Sequence, residues 1–106
     1  MVEFPEERET INRLEALVRS GKHREMTFDH LIYRVEPRSI EALARILERL
    51  VTQGTIRRVY RVESPGIKGK IDDFERFEDI PEEIDDWHTG TKLHVTPGDL
   101  SVVYLT

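Results

Sequence analysis

The sequence predicts an α+β fold, in which a three-helix bundle is followed by a small antiparallel β-sheet and a folded insertion. Before Gly54, apolar residues recur every three or four positions in three stretches, which is the spacing of one helix face. After Gly54, apolar and polar residues alternate over 56–62, as in a half-buried strand. The last residues, Leu100–Thr106, are apolar on both faces and predict a second strand. We therefore expect a single domain over 1–106, with an acidic insertion at about 66–91.

Three helices are expected, near residues 6–20, 28–35 and 38–53. Phe4-Pro5 opens the first, because proline is tolerated in the first turn of a helix. Thr27 can cap the second through its hydroxyl. Pro37 stops the second helix, and the third begins at once with Pro37 or Arg38 in its first turn. Gly54 lies where a left-handed C-cap is needed. One core is expected from Leu14, Leu17, Leu31, Ile32, Leu43, Leu47, Leu50, Ile56 and Tyr60.

The insertion contains too many large apolar residues for a disordered segment: Phe74, Phe77, Ile80, Ile84 and Trp87. We expect it to fold back on the domain, with a helical turn after Pro81. Thr91–Thr96 predicts a short strand. Thr96-Pro97-Gly98-Asp99 fits a type II turn, which takes proline at its second position and glycine at its third.

The central third of the chain resembles the winged helix-turn-helix superfamily. The resemblance rests on three groups of residues: Leu31, Ile32 and Val35 on the short helix, the corner Glu36-Pro37-Arg38-Ser39, and the run Ile40…Leu43…Leu47…Leu50-Val51…Gly54-Thr55-Ile56. It implies that the helix after the corner is a recognition helix and that the following strand begins the wing. No subfamily is identified, so no ligand or operator follows from it.

Charge is distributed unevenly along the chain, whose net charge is −5. Residues 55–71 carry five basic and one acidic side chain, whereas residues 72–106 carry ten acidic and two basic ones. A locally basic strand can serve nucleic acid on an acidic protein, and it can equally neutralise the acidic segment of the same chain.

Double-stranded DNA is the first partner that this pattern and the resemblance indicate. Arg38, Ser39 and Arg45 would meet base edges or phosphates from the recognition helix. Five further residues would follow the phosphate backbone from the wing: Arg57, Arg58, Arg61, Lys68 and Lys70. The alternative is that the charges of the helix form surface ion pairs, because Glu41 and Glu48 share the face of Arg45.

A protein partner is the second expectation, since winged-helix domains also serve as protein-interaction modules. The contact residues would then be Phe74, Phe77, Trp87, Val103 and Leu105. The alternative for the aromatic residues is core packing of the insertion. The two-faced strand Leu100–Thr106 also predicts a symmetric homodimer, formed through this strand or through the first helix.

Other function classes find little support in the residues. The chain has no cysteine, no glycine-rich phosphate loop and no local Ser/His/Asp set, so we expect neither an enzyme nor catalytic residues. His88 and His94 lie near Asp85 and Asp86 without a metal-binding spacing, so no metal and no other cofactor is expected. No apolar run approaches the length of a membrane span, and the N-terminus lacks the features of a signal peptide. We expect a cytoplasmic protein.

Overall fold

The computed structural model describes residues 5–106 and has an α+β fold with three helices and a small antiparallel sheet. Phe4, expected at the start of the first helix, lies outside the described residues. The helices are α1 (Pro5–Ser20), α2 (Phe28–Val35) and α3 (Ile40–Thr52). The strands are β1 (Glu25–Thr27), β2 (Arg57–Glu63), β3 (Lys70–Phe74), β4 (Glu83–Asp86), β5 (Thr91–His94) and β6 (Leu100–Leu105). One sheet has the strand order β1-β6-β2-β3, and β4 pairs with β5 in the other.

The corner between α2 and α3 is set by its caps. Thr27 begins α2 as predicted, its hydroxyl accepting from the His30 N–H at 3.1 Å. Glu36 ends this helix in the left-handed conformation, with φ 50°. The predicted start of α3 was wrong by two or three residues. Ser39 is extended and its hydroxyl accepts from the Ala42 N–H at 3.0 Å, so this cap leaves Pro37 and Arg38 outside the helix.

The end of α3 follows from Gly54. The N–H of Gly54 donates to the Val51 carbonyl and the N–H of Thr55 donates to the Leu50 carbonyl, both at 3.0 Å. These two bonds form a Schellman motif, and Gly54 adopts the positive φ of 77° that the motif needs. The glycine cap predicted from the sequence is confirmed.

Contacts within the chain define two compact units, and the first comprises the residues up to Arg57 together with Tyr104–Thr106. Its core consists of Leu14, Met26, Leu31, Val35, Leu43, Ile46, Leu47, Leu50, Ile56 and Tyr104. Six of the predicted core residues belong to this set, and Leu17 and Ile32 pack against it partly buried. Arg13 of α1 fixes the corner, because its guanidinium donates to the Val35 carbonyl at 2.9 Å.

The second unit spans Arg58–Val103. Tyr60 belongs to it, so its placement in the core of the helices was wrong: its ring meets Phe77 edge to face, with centroids 5.8 Å apart. The buried positions of β2 are Val59 and Val62, which do not share a face. The pairing of β2 with β3 is regular from Tyr60 to Val62, and a register shift interrupts it after Val62.

The insertion folds differently from the prediction. Instead of a helical turn after Pro81, the chain forms β4, which pairs with β5 in antiparallel register. The type II turn was also wrong. Pro97–Asp99 forms a 3-10 turn because the Asp99 carboxylate accepts from the Thr96 N–H at 2.9 Å and from the Thr96 hydroxyl at 3.0 Å.

Candidate functional site

The exposed side of α3 carries charges of both signs. Glu41, Ala44, Arg45 and Glu48 are exposed, whereas Ala42 is only 4% exposed. The Arg45 guanidinium donates to the Glu7 carboxylate of α1 at 2.5 Å. This helix is a poor surface for phosphates, because Glu41 and Glu48 would repel them and Arg45 is already bonded to a third carboxylate, that of Glu7.

Two further residues that were predicted to bind DNA, Arg38 and Arg57, lie at the surface of the first unit. Arg38 is exposed next to the capping residue Ser39, and Arg57 is exposed at the start of β2. Arg57 also lines a hollow of about 380 Å³, together with Arg24 and Glu25. The walls of this hollow thus combine cationic and anionic side chains.

Two of the predicted DNA-binding residues in the second unit share one carboxylate of the same unit. Arg61 donates two hydrogen bonds to Asp73, from Nε at 2.8 Å and from its second guanidinium nitrogen at 3.0 Å. The Lys70 ammonium lies 3.2 Å from the same carboxylate. These bonds, above all those from Arg61, hold the pKa of Asp73 below its ordinary value, although burial opposes the shift. Arg58 is half-buried, and Lys68 is exposed.

The predicted protein-contact residues divide by exposure. Phe77 is 59% exposed and Trp87 is 68% exposed, so neither packs in a core. Phe74 and Leu105 are half-buried. Val103 is 2% exposed and is therefore part of the interior of the protein.

Trp87 lies in the turn between β4 and β5 (residues 87–90, the Trp87 turn) and is held in place by its neighbour. Its ring stacks on the His88 imidazole, with centroids 3.7 Å apart and an interplanar angle of 27°. The Nε2 atom of His88 lies 2.9 Å from the Lys70 carbonyl oxygen, which can only accept, so Nε2 carries the proton and donates. The imidazole is thus fixed on one side by a hydrogen bond and on the other by the indole.

A buried hydrogen-bond network fixes the Trp87 turn to the loop between β2 and β3 (residues 64–69, the 64–69 loop). Asp86 is 3% exposed, and its carboxylate accepts from the Ser64 hydroxyl at 2.6 Å and from the His88 N–H at 3.0 Å. The bond from Ser64 is the main cause of a lowered Asp86 pKa. Gly69 lies so close to the imidazole that a Cβ there would be 2.7 Å from the His88 Cε1 atom.

Sequence reasoning identified Trp87 but missed the residues that hold it. Asp86 and His88 were considered only as metal ligands, and no role was expected for Gly69. A glycine that faces a ring has no local sequence signal, because the contact depends on how two loops, nearly twenty residues apart, meet.

The described part of the chain offers little other chemistry. Among residues 5–106, no three His, Cys, Asp or Glu side chains lie close enough together to hold a metal ion. Within the same range, no helix has both the length and the apolar composition that crossing a bilayer requires. The features that remain are the exposed aromatic side chains and the charged surfaces around them.

No protein-family model, curated protein or solved structure matches this chain.

Proposed function

We propose that this chain is a winged-helix protein-interaction module whose contact surface is centred on Trp87. The observation that carries the proposal is that Trp87 is 68% exposed and yet its ring is stacked on an imidazole that is itself hydrogen-bonded. Isolated apolar side chains on a surface need no explanation. A large aromatic ring that is exposed and yet stacked on a hydrogen-bonded neighbour is different, because Trp87 itself then loses little side-chain entropy when a partner covers it.

The winged-helix part of the proposal is supported by the order of the elements. A helix, a short strand, two helices and two strands follow one another from α1 to β3, and the α2–α3 corner lies at 36–39, where the resemblance puts it. Thr27 and Ser39 cap the two helices of the motif. In this interpretation β2 begins the wing, and the segment from β3 to β5 is an insertion before β6.

A protein partner is favoured over DNA by the pairing of the basic residues. Arg45 is bonded to Glu7, and both Arg61 and Lys70 share Asp73. A phosphate would have to displace these carboxylates, which reduces the gain from each contact. Duplex DNA is the second candidate, favoured by the exposure of Arg38 and Arg57.

Peptide display tests the first candidate. The full chain is immobilised and random peptides are selected on it, in parallel with Trp87→Ala and with Phe77→Ala as a matched control. Phe77 is an exposed aromatic residue of the same unit, on a different element. We expect peptides that bind the wild-type chain and Phe77→Ala but are lost with Trp87→Ala. Failure to select any peptide, or equal retention by both variants, would contradict the proposal.

Duplex binding at low and moderate salt tests the second candidate. Proteins that neutralise phosphates release counterions, so their affinity falls steeply as salt rises. We expect no measurable binding of random duplex at about 50 mM salt, a concentration at which phosphate contacts are strong. Tight, salt-sensitive binding that is lost on replacing Arg38 and Arg57 by Ala would establish DNA as the partner instead.

A further inference from the structure

The second unit carries the whole net charge of the chain. Residues 58–103 contain eleven acidic and six basic side chains, a net of −5, which equals the net charge of the full sequence. The first unit is therefore neutral overall. A partner that approaches Trp87 meets an acidic unit, and this field attracts cations and repels polyanions.

We infer that the segment recognised by Trp87 is basic, and that it places a lysine ammonium or an arginine guanidinium on the exposed face of the indole. This inference rests on the proposed function and specifies its partner. The His88 ring covers one face of the indole, at 3.7 Å between centroids, and because Trp87 is still 68% exposed its other face is accessible. The face of a tryptophan ring is the most favourable aromatic surface for a cation, because its quadrupole presents negative charge there.

Carboxylates that precede Trp87 closely in the chain strengthen this preference. Glu83 and Asp85 alternate along β4 with Ile84 and so lie on the same face of the strand. The Asp85 side chain is 84% exposed and lies 3.2 Å from the Lys92 ammonium, which is itself 72% exposed. An exposed pair of this kind contributes little to stability, so a cation of the partner can take the place of Lys92 at small cost.

Asp86 has a structural role, unlike the exposed Asp85. Its carboxylate is buried and accepts from Ser64 and from the backbone of His88. It therefore orients the Trp87 turn instead of meeting a partner. Asp85 is the carboxylate we expect to contact the bound cation.

Intrinsic fluorescence gives a direct readout, because Trp87 is the one tryptophan of the sequence. The full chain is titrated with three peptides of equal length that differ only in having Arg and Lys, Gln, or Glu at the charged positions. A single-stranded oligonucleotide is the fourth probe. We expect a saturable change of Trp87 emission with the basic peptide, weakening as salt rises, and no saturable change with the other three.

Variants locate the contact, with the anisotropy of a labelled basic peptide as the second readout. Asp85→Asn should weaken binding several-fold, whereas Asp79→Asn, which removes the same charge from an exposed site on the 3-10 turn at 77–79, should change it less than twofold. Trp87→Ala should weaken binding by about tenfold. Unfolding of each variant in urea is measured first, so that a loss of binding is read only from folded protein.

Any one of several results would overturn the inference. The Gln or Glu peptide could bind as tightly as the basic one, the oligonucleotide could be the probe that saturates the emission change, or Asp79→Asn could weaken binding as much as Asp85→Asn. A change of emission on diluting the protein alone would also overturn it, because a second copy of the chain would then occupy Trp87. If displayed peptides that depend on Trp87 are neutral or acidic, the inference fails while the proposed function stands.

Discussion

Replacing Gly69 by alanine tests how Trp87 is held. The added Cβ would lie 2.7 Å from Cε1 and 2.8 Å from Nε2 of the His88 imidazole, whereas carbon atoms in favourable contact are about 3.5–4.0 Å apart. The ring must move by roughly 1 Å to reach such a distance. It cannot do so freely, because it is stacked on Trp87 at 3.7 Å and donates to the Lys70 carbonyl at 2.9 Å.

The expected cost of Gly69→Ala is about 1–3 kcal/mol in the free energy of unfolding, the range for overpacked sites, and it includes about 0.5–1.5 kcal/mol if the hydrogen bond to Lys70 is lost. Urea denaturation measures this cost, and Trp87 emission reports whether the indole has lost its imidazole neighbour. Gly98→Ala is the matched control, because its nearest atom is the Thr96 hydroxyl oxygen at 3.8 Å, an ordinary contact distance.

A double-mutant cycle identifies the cause of that cost. In a His88→Ala background the ring is absent, so Gly69→Ala should cost less than about 0.5 kcal/mol. If it costs as much in that background as in the wild type, the clash with the imidazole is not the reason. Unchanged stability and unchanged Trp87 emission in the single variant would also refute the reasoning.

Three further predictions concern stability, each measured by urea unfolding. Leu47→Ala should cost about 2–5 kcal/mol because Leu47 is 1% exposed in the core, whereas Ile40→Ala, at 57% exposure, should cost under about 0.5 kcal/mol; equal costs would contradict the core assignment. Glu36→Gly should stabilise by roughly 0.5–1 kcal/mol, because glycine adopts the φ of 50° without strain, and a loss of stability would show that the Glu36 side chain matters more than its backbone. Asp73→Asn should cost about 1.5–3 kcal/mol by weakening the forked bonds from Arg61. Because the folded-state pKa of Asp73 is lowered, this contribution is complete above its ordinary value of 3.8 and is lost as the pH falls below it, so the wild type and the variant should converge in acid.

The helices could be predicted from sequence because their signals are local. Thr27, Ser39 and Gly54 act on backbone groups within about one helical turn, and the apolar spacing from Leu43 to Leu50 fixes one buried face. The start of α3 was predicted too early. Proline is tolerated in the first turn of a helix, but the presence of Pro37 does not show that a helix begins there. Ser39, which satisfies a free N–H, determined the boundary.

The sheet was harder to predict because its register depends on residues distant in the chain. The alternation of 56–62 suggested that Tyr60 joins the core of the helices, but Tyr60 pairs with Phe74 of β3 and its ring meets Phe77. Strand β4 was missed because Glu83, Asp85 and Asp86 have low strand propensity. Its pairing with β5 brings Glu83 opposite His94 and Asp85 opposite Lys92, which compensates that propensity with cross-strand partners.

The candidate site was partly predictable. Trp87 and Phe77 could be singled out as large aromatic residues in a polar segment, and the possibility that basic residues neutralise the acidic segment was visible in the charge distribution. Their consequences required the structure. The sequence does not indicate that the Asp73 carboxylate pairs with both Arg61 and Lys70, or that the His88 ring lies against Gly69.

The accessibility of Trp87 to a neutral quencher, measured in the full chain with and without a saturating basic peptide, tests the central claim most directly. With its side chain 68% exposed, the free protein should be quenched strongly by acrylamide, while its anisotropy should report an indole that rotates with the protein. The bound peptide should shield the ring and reduce quenching several-fold. An indole that is already shielded in the free protein, or that stays equally accessible when the peptide is bound, would contradict the claim that Trp87 is the contact residue.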